Sequence, residues 1–479
     1  MPGDRGPVVG LSNLGPARSP GWLAPGFTLP FCVLCLLWPA AWNTYPIVFA
    51  DTGTYLSQAM HRYLGWDRPV FYSLFIYPLH LGLTTWPVIL VQSCLTVLVL
   101  DVTRHALGAP RLWLAPVTLV LALATWLPWT VSELMPDLFT PLLVLLLGVL
   151  LFAPFRFRPW HRAALIVLAA FMIATQQSSV PLAFGLLLIF IPARAVLAGQ
   201  RGGALLAPLL APGLAAAAMV LVNAIGFGAV SLSPYGNVFL LARVIYDGPG
   251  MTVLRRDCPG RGWLLCPFLD RFPVGENDFL WRKDSPIVLA GGHKAVAAEA
   301  DSIIHAAIAA EPARLLVATL DHTLEQLTRF ASGDGLRGWA APAGTWIDAD
   351  FPSRESAAFH AARQQMGTLW VPPPLAIAHR LTALGGIAAA LLLLPLAMRP
   401  RRFVLARDGH AGPPGVAERA GERVVAWFLA LALVTLPVGA AITGGLSAPF
   451  DRYQSRIVWL PAAVVLLGLP TLTRRARPE

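Results

Sequence analysis

Apolar segments long enough to cross a membrane constrain this chain more than any other feature. A membrane-spanning helix needs about 20 predominantly apolar residues, and segments near that length recur throughout the sequence. They predict transmembrane helices near residues 22–42, 86–106, 112–128, 138–154, 163–179, 180–198, 204–227, 381–398, 424–444 and 457–473. We therefore expect an all-α polytopic membrane protein with about ten transmembrane helices, for which 56% hydrophobic and 13% charged residues are typical.

The distribution of charge predicts how these helices are oriented. Residues 230–375 contain 13 Lys or Arg and 15 Asp or Glu, so the net charge of +10 comes from the rest of the chain. That excess lies in short loops beside apolar segments, which is typical of cytoplasmic loops and not of a nucleic-acid-binding surface. If there are ten spans, these loops all lie on one side of the membrane. Their arginines are Arg104, Arg111, Arg156, Arg158, Arg162, Arg194, Arg201, Arg399, Arg401, Arg402, Arg474, Arg475 and Arg477. Both termini are then cytoplasmic, and we expect a multi-pass protein of a bacterial inner (plasma) membrane.

Three regions follow from this topology. Residues 1–229 form an N-terminal transmembrane module that includes the first outer loop, residues 43–85. Residues 230–375 form one small, mostly helical periplasmic domain, and residues 376–479 form a C-terminal transmembrane module.

The periplasmic domain carries two local signals. Pro312 suits the first turn of a helix, whose apolar face is marked by Leu316, Leu320, Leu324 and Leu327. Cys258 and Cys266 both lie on the side where oxidation is expected, and Pro and Gly residues between them turn the chain. We expect these two cysteines to form a disulfide.

The first outer loop contains a short amphipathic helix headed by Asp51. Apolar side chains recur there at helical spacing, and polar ones, such as Ser57 and Gln58, lie between them. We expect this helix to lie on the membrane surface with its apolar face down. Asp51 has two compatible interpretations: its carboxylate caps the helix, or it acts as a general base.

This loop resembles the first outer loop of the GT-C glycosyltransferases, polytopic membrane enzymes that use lipid-linked sugars. In that superfamily an Asp precedes a surface helix, and an Arg-Pro-aromatic stretch often follows. The matching residues are Asp51, Tyr55, Leu56, Arg68, Pro69, Tyr72 and Leu74. The resemblance implies a GT-C-like arrangement in which Asp51 is the catalytic base and Tyr55 and Arg68 bind substrate.

A second acidic pair, Glu133 and Asp137, lies in the outer turn between the third and fourth predicted spans. Many GT-C proteins carry an acidic residue in the corresponding turn, so both are candidate catalytic residues. The alternative is helix capping, because acids suit the first turn of a helix. Three carboxylates on one face could also bind a divalent cation, but nothing in their spacing requires one. We predict no metal site and no cofactor.

Three arginines lie at the outer ends of apolar spans, where the positive-inside rule expects few. They are Arg380, Arg452 and Arg456. A guanidinium is a planar fork suited to phosphate oxygens, and Arg452-Tyr453 before the last span resembles a feature of many GT-C chains. We expect Arg380, Arg452, Tyr453 and Arg456 to bind the donor phosphate. The alternative is that the arginines reach ordinary lipid headgroups.

The resemblance and these residues together predict an inverting glycosyltransferase. It would move a sugar from a polyprenyl-phosphate carrier to a cell-envelope acceptor at the periplasmic face. The expected partners are membrane lipid, the lipid-linked donor and a glycan or lipid acceptor, and not nucleic acid. Two alternatives stay open: a transporter or flippase of a lipid-linked glycan, and a non-catalytic assembly partner with a GT-C-like fold. Gln176, Gln177 and Ser178 either line a cavity or form a polar turn.

Overall fold

The computed structural model describes residues 25–197, 203–398 and 416–473. Within these ranges every regular element is helical, and the single extended pairing is a bridge between Ile47 and Glu133. The expectation of an all-α protein is confirmed. The chain ends predicted to be cytoplasmic lie outside the described residues, as do the predicted cytoplasmic arginines at positions 201, 399, 401, 402, 474, 475 and 477.

The described helices follow one another in three groups. The first group is α1 (Pro25–Cys35), α2 (Trp38–Asn43), α3 (Thr52–His61), α4 (Val70–His80), α5 (Trp86–Leu107), α6 (Leu114–Ala124), α7 (Leu127–Val131), α8 (Phe139–Phe152), α9 (Pro159–Ala174), α10 (Ser179–Leu197), α11 (Gly203–Leu206) and α12 (Leu210–Phe227). The second group belongs to residues 230–375, which we call the insert. It contains α13 (Gly236–Tyr246), α14 (Pro249–Arg261), α15 (Glu276–Trp281), α16 (Pro286–Leu289), α17 (His293–Ala310), α18 (Pro312–Thr328), α19 (Thr345–Asp350) and α20 (Ser353–His360). The last group is α21 (Pro373–Met398), α22 (Val416–Thr443), α23 (Asp451–Ser455) and α24 (Leu460–Thr473).

Six stretches of the described chain are long and apolar enough to cross a membrane. They are Trp86–Leu107, Ser179–Leu197, Ala207–Phe227, Pro373–Met398, Arg423–Thr443 and Asp451–Thr473. This architecture is compatible with a multi-pass membrane protein, but the predicted number of ten spans is not confirmed. The other four predicted spans coincide with shorter apolar helices, namely α1, α6, α8 and α9.

Helix α8 shows why apolarity alone does not identify a span. Its 14 residues extend about 21 Å, less than the roughly 30 Å of a bilayer core. Every residue of α8 is buried, because α5, α9, α10 and α22 pack around it. A helix that is apolar on all sides suits the centre of a protein as well as it suits lipid. Helix α8 is thus the central helix of the bundle.

The insert divides between two hydrophobic cores. Helices α13, α14 and α17 surround a core of their own, and we call residues 236–307 the lobe. The later part, residues 340–365, adds Ala343, Ile347 and Phe359 to the core of the transmembrane modules, and we call it the cover. A disulfide joins Cys258 to Cys266 within the lobe. We call the end of the bundle that carries the insert the insert side.

Helix α18 follows α17 at an angle of 100°, and Pro312 lies in its first turn as predicted. The predicted apolar face is nevertheless exposed at Leu316, Leu320 and Leu324. Helix α18 instead packs its polar face against α22 and the residues that follow it. A Cβ atom on Gly445 would lie 2.8 Å from Thr323 Oγ1, so glycine allows this close approach.

Candidate functional site

Helix α3 begins directly after Asp51, but the Asp51 side chain makes no capping hydrogen bond. The hydroxyl of Thr52 accepts a hydrogen bond from the Phe49 backbone N–H at 2.8 Å. The interpretation of Asp51 as a helix cap is therefore wrong. Its carboxylate is directed elsewhere.

Helix α3 is covered on its polar side as well as on its apolar side. The cover lies against it, and Ser57 and Gln58 are buried together with the apolar side chains. A Cβ atom on Gly53 would lie 2.0 Å from the Pro342 carbonyl oxygen, so only glycine fits there. Helix α3 is thus held between α4 and the cover.

The Asp51 carboxylate makes an ion pair with Arg68, which lies just before α4. Arg68 Nη2 donates to Asp51 Oδ1 at 2.8 Å. The other oxygen, Oδ2, accepts no hydrogen bond from the described residues and lies 3.9 Å from Arg452 Nη2. One carboxylate oxygen is therefore held in place while the other stays available.

A second ion pair lies on the far side of Arg452. Arg456 Nη1 donates to Asp137 Oδ1 at 2.6 Å, and Arg452 Nη2 lies 3.7 Å from Asp137 Oδ2. Asp137 belongs to the 3₁₀ turn Pro136–Leu138 that leads into α8. The resulting row of alternating charges contains three guanidinium groups and two carboxylates, so its net charge is +1.

Arg452 stands at the centre of this row, at the start of α23. Its guanidinium lies 4.0 Å from the centroid of the Phe49 ring and 5.3 Å from that of Tyr453. Its backbone N–H donates to Asp334 Oδ2 at 3.0 Å, and its Nε makes no hydrogen bond with any described residue. Stacking on rings holds the plane of the guanidinium without using its N–H groups.

Glu133 stands apart from the row. Its backbone carbonyl accepts a hydrogen bond from Gln92 Nε2 at 2.8 Å, and its side chain does not line the cavity described below. Burial, followed by the nearby carboxylate of Asp137, raises the pKa of Glu133 to about 8. Glu133 is therefore mostly uncharged at neutral pH and leaves the +1 charge of the row in place.

The row faces a cavity of about 410 Å³ on the insert side. The first outer loop, the break between α9 and α10, the lobe and the start of α23 enclose it. Six predicted site residues line it, namely Asp51, Tyr55, Arg68, Asp137, Arg452 and Tyr453. Gln176, Gln177 and Ser178 line it as well, which agrees with the first of their two interpretations.

Two predicted arginines do not face this cavity. Arg380 is exposed on α21, where its buried neighbour His379 makes a hydrogen bond with Ser332 Oγ at 2.7 Å. Arg456 is buried and paired with Asp137. Arg452 and Arg68 are therefore the arginines of the row that line the cavity, and Arg243 of the lobe lines it as well.

Two buried glutamines of the insert, not predicted from the sequence, hold the loops that carry Asp51 and Arg452. Gln364 Nε2 donates to the Val48 carbonyl at 2.7 Å, and the Val48 N–H donates to Gln364 Oε1 at 3.0 Å. Gln326 makes the same two bonds with Phe450, both at 2.9 Å. Each amide side chain thus satisfies both backbone groups of one loop residue, as a neighbouring strand would.

No group of three or more His, Cys, Asp or Glu side chains in the described part of the chain could hold a metal ion. Comparisons with protein-family models, with curated proteins and with solved structures find no match for this chain. What the described residues define is an all-helical architecture, compatible with a multi-pass membrane protein, with a charged cavity on its insert side.

Proposed function

We propose that the protein is an inverting, GT-C-like glycosyltransferase that moves a sugar from a polyprenyl-phosphate carrier to a cell-envelope acceptor. The observation that carries this proposal is the meeting of Asp51, Arg68 and Arg452 in one cavity. These are a candidate base and two candidate phosphate ligands from distant parts of the chain. We assign the insert side to the periplasm, in line with the arginine loops of the sequence.

The guanidinium groups of the row support an anionic ligand. Those of Arg68 and Arg452 line the cavity, where a phosphodiester can contact them. Arg452 is the best-placed phosphate ligand, because it lines the cavity between Asp51 and Asp137. Arg456 neutralises Asp137 from behind, so that Asp137 does not repel the phosphate.

The proposed step uses the available oxygen of Asp51. A hydroxyl of the acceptor attacks the anomeric carbon of the donor sugar, and its proton passes to Asp51 Oδ2. The new glycosidic C–O bond forms as the bond from the anomeric carbon to the phosphate oxygen breaks. That oxygen keeps the electron pair, and the polyprenyl phosphate gains a negative charge that Arg452 and Arg68 stabilise. Attack opposite to the leaving phosphate inverts the anomeric centre.

The size of the cavity suits this reaction. Its volume of about 410 Å³ lies within the roughly 300–1,000 Å³ of pockets that hold small molecules. We propose that no divalent cation takes part, because Arg68 and Arg456 already neutralise Asp51 and Asp137. Transfer should accordingly continue in the presence of a chelator.

The distribution of polar groups favours an enzyme over a transporter. A transporter of a lipid-linked glycan is expected to have polar or broken helices near the middle of the membrane. Here the charged row ends at Asp137. All residues of the helix that follows, α8, are buried, and none of them is charged. A non-catalytic assembly partner would bind the donor without turning it over, and turnover distinguishes it from an enzyme.

Binding of polyprenyl phosphate to the purified protein in nanodiscs of uncharged lipid tests the proposal. A hydrogen bond to a charged group contributes about 1.5–3 kcal/mol, so Arg452→Ala should weaken binding roughly 10- to 100-fold. Arg452→Lys should lose part of that affinity, because an ammonium lacks the planar fork. Arg380→Ala is the matched control and should bind like the wild type. Equal affinity in Arg452→Ala and Arg380→Ala would refute the assignment and favour nonspecific headgroup contacts.

A further inference from the structure

The lobe contributes a second polar wall to the cavity, formed by the short helix α15. Glu276, Asn277 and Trp281 of this helix all line the cavity. Glu276 is partly buried, and Asn277 and Trp281 are exposed. Within the described chain, the carboxylate, the amide and the indole N–H of these three residues make no hydrogen bond. The wall therefore offers acceptors and donors that the protein itself does not use.

Trp281 forms a rigid platform on this wall. Its ring stacks on Trp66 with centroids 5.6 Å apart and an angle of 27° between the planes. Trp66 in turn stacks on His293 at 4.1 Å, and His293 Nε2 makes a hydrogen bond with the Leu280 carbonyl at 2.9 Å. Trp281 nevertheless remains 43% exposed. The exposed part of this ring is available to a ligand in the cavity.

Arg68 links this platform to the candidate base. The Arg68 guanidinium bonds to Asp51 at 2.8 Å, and its Cζ lies 6.0 Å from the centroid of the Trp281 ring. Arg68 thus contacts Asp51 and lies beside the Trp281 ring, so the platform and the candidate base share a neighbour in the same cavity.

The charges of the wall select against an anion. Glu276 repels anions, and Arg243 of the lobe, which also lines the cavity, is buried and paired with Asp247 at 2.7 Å. A carboxylate accepts hydrogen bonds from hydroxyl groups, an amide both donates and accepts, and an indole ring packs against apolar C–H surfaces. A neutral sugar has both of these surfaces, hydroxyl groups and a C–H face.

We propose that Glu276, Asn277 and Trp281 form a binding site for a neutral carbohydrate, the acceptor of the transfer. The sugar ring stacks on Trp281, and its hydroxyl groups bond to Glu276 and Asn277. Naming this ligand the acceptor rests on the proposed function, whereas the binding of a carbohydrate does not. The lobe is then the part of the protein that selects the acceptor.

The test is binding of a panel of neutral hexose and pentose oligosaccharides to the full-length protein in nanodiscs, followed by saturation-transfer NMR. At least one member of the panel should bind the wild type. Trp281→Ala should weaken its binding roughly tenfold or more, and Trp281→Phe should retain part of it. Asn277→Ala, a change at an exposed position, should weaken binding by a smaller factor. Trp370→Ala is the matched control, because Trp370 is exposed and does not line the cavity.

Each outcome separates this inference from the proposed function. The carbohydrate site is overturned if no oligosaccharide of the panel binds the wild type, or if Trp281→Ala and Asn277→Ala both bind like Trp370→Ala. Loss of oligosaccharide binding in Trp281→Ala, with polyprenyl phosphate still bound, supports both. If Trp281→Ala loses oligosaccharide binding and the wild type does not bind polyprenyl phosphate, the carbohydrate site is upheld and the proposed lipid-linked donor is refuted.

Discussion

Two arginine–carboxylate pairs on the insert side have the same chemistry and different surroundings. Asp137 and Arg456 pair at 2.6 Å, and their side chains are only 6% and 2% exposed. Asp51 and Arg68 pair at 2.8 Å, with side chains that are 18% and 24% exposed, and both of them line the cavity, whereas only Asp137 of the other pair does. Burial therefore distinguishes the pairs where residue type does not.

This difference separates a structural role from a functional one. A charge left without its partner inside a protein is costly, so the Asp137–Arg456 pair cannot easily be exchanged for a ligand. The Asp51–Arg68 pair lies beside open volume, where a substrate can replace either partner at a lower cost. Sequence alone makes Asp137 and Arg456 candidates equal to Asp51 and Arg452, and only the folded chain ranks them.

Removal of one partner from the buried pair should have the largest effect on stability. Arg456→Ala leaves the Asp137 carboxylate without its hydrogen-bond donor, which should lower the free energy of unfolding by about 3–5 kcal/mol. Arg68→Ala should lower it by about 1 kcal/mol or less, because the cavity solvates Asp51. Thermal unfolding of both variants in one detergent measures the difference. Equal unfolding temperatures would show that burial does not distinguish the two pairs.

Substitution of Gln326 or Gln364, the buried glutamines that hold the loops, should have the next largest effect on stability. The two substitutions also distinguish the roles of the two loops. Gln326→Met and Gln364→Met each leave two backbone groups unpaired, at roughly 1–3 kcal/mol for each group that stays buried. We expect Gln326→Met also to weaken polyprenyl-phosphate binding, because its loop carries Arg452. Gln364→Met should weaken that binding less, since its loop carries Asp51 and Phe49, which contact the phosphate-binding arginines, and not an arginine itself. Similar affinities in both variants would contradict this division.

Patterns in the sequence predict the residues of the cavity better than they predict their partners. Asp51, Arg68 and Arg452 can be recognised because each stands out locally: an acid heads a helix, an arginine precedes Pro69, and an arginine lies at the outer end of an apolar span. Which guanidinium meets which carboxylate depends on tertiary packing. Asp137 and Arg456 lie 319 positions apart in the chain, and no local pattern connects them.

Helix lengths and backbone partners are less predictable still. The apolar segment 22–42 is continuous in hydropathy, yet α1 ends at Cys35 and α2 begins at Trp38. Hydropathy does not register such a break, which explains part of the difference between ten predicted spans and six helices of sufficient length. In the sequence Gln326 and Gln364 resemble ordinary polar residues. Their partners are backbone groups, which every residue has, so no sequence pattern identifies them.

The pH dependence of stability should reveal the charge state beside the buried pair. Since the pKa of Glu133 is raised to about 8 from an ordinary value of 4.5, the folded protein binds a proton that the unfolded chain releases in this range. Stability should therefore fall between about pH 4.5 and pH 8, by on the order of 1 kcal/mol per pH unit. Unfolding temperatures measured across this range should fall less steeply in Glu133→Gln. If the unfolding temperatures of the variant and the wild type fall equally with pH, the Glu133 carboxylate is ionised in the folded protein.

The smallest effect on stability is expected at Asp51. Its side chain does not cap α3, and its partly exposed ion pair contributes about 0–1 kcal/mol. Asp51→Asn should therefore unfold within a few degrees of the wild type in the same detergent. A loss as large as that of Arg456→Ala would assign Asp51 to the structural group.

The same Asp51→Asn variant gives the most direct test of the proposed transfer. The measurement is release of polyprenyl phosphate from a panel of polyprenyl-phosphate monosaccharides, detected by mass spectrometry, with membranes of the producing cells as the acceptor source. An amide cannot take up the acceptor proton, so release should fall about 10²- to 10⁴-fold while the unfolding temperature is retained. Release by Asp51→Asn at the wild-type rate would contradict the role of Asp51 as the base.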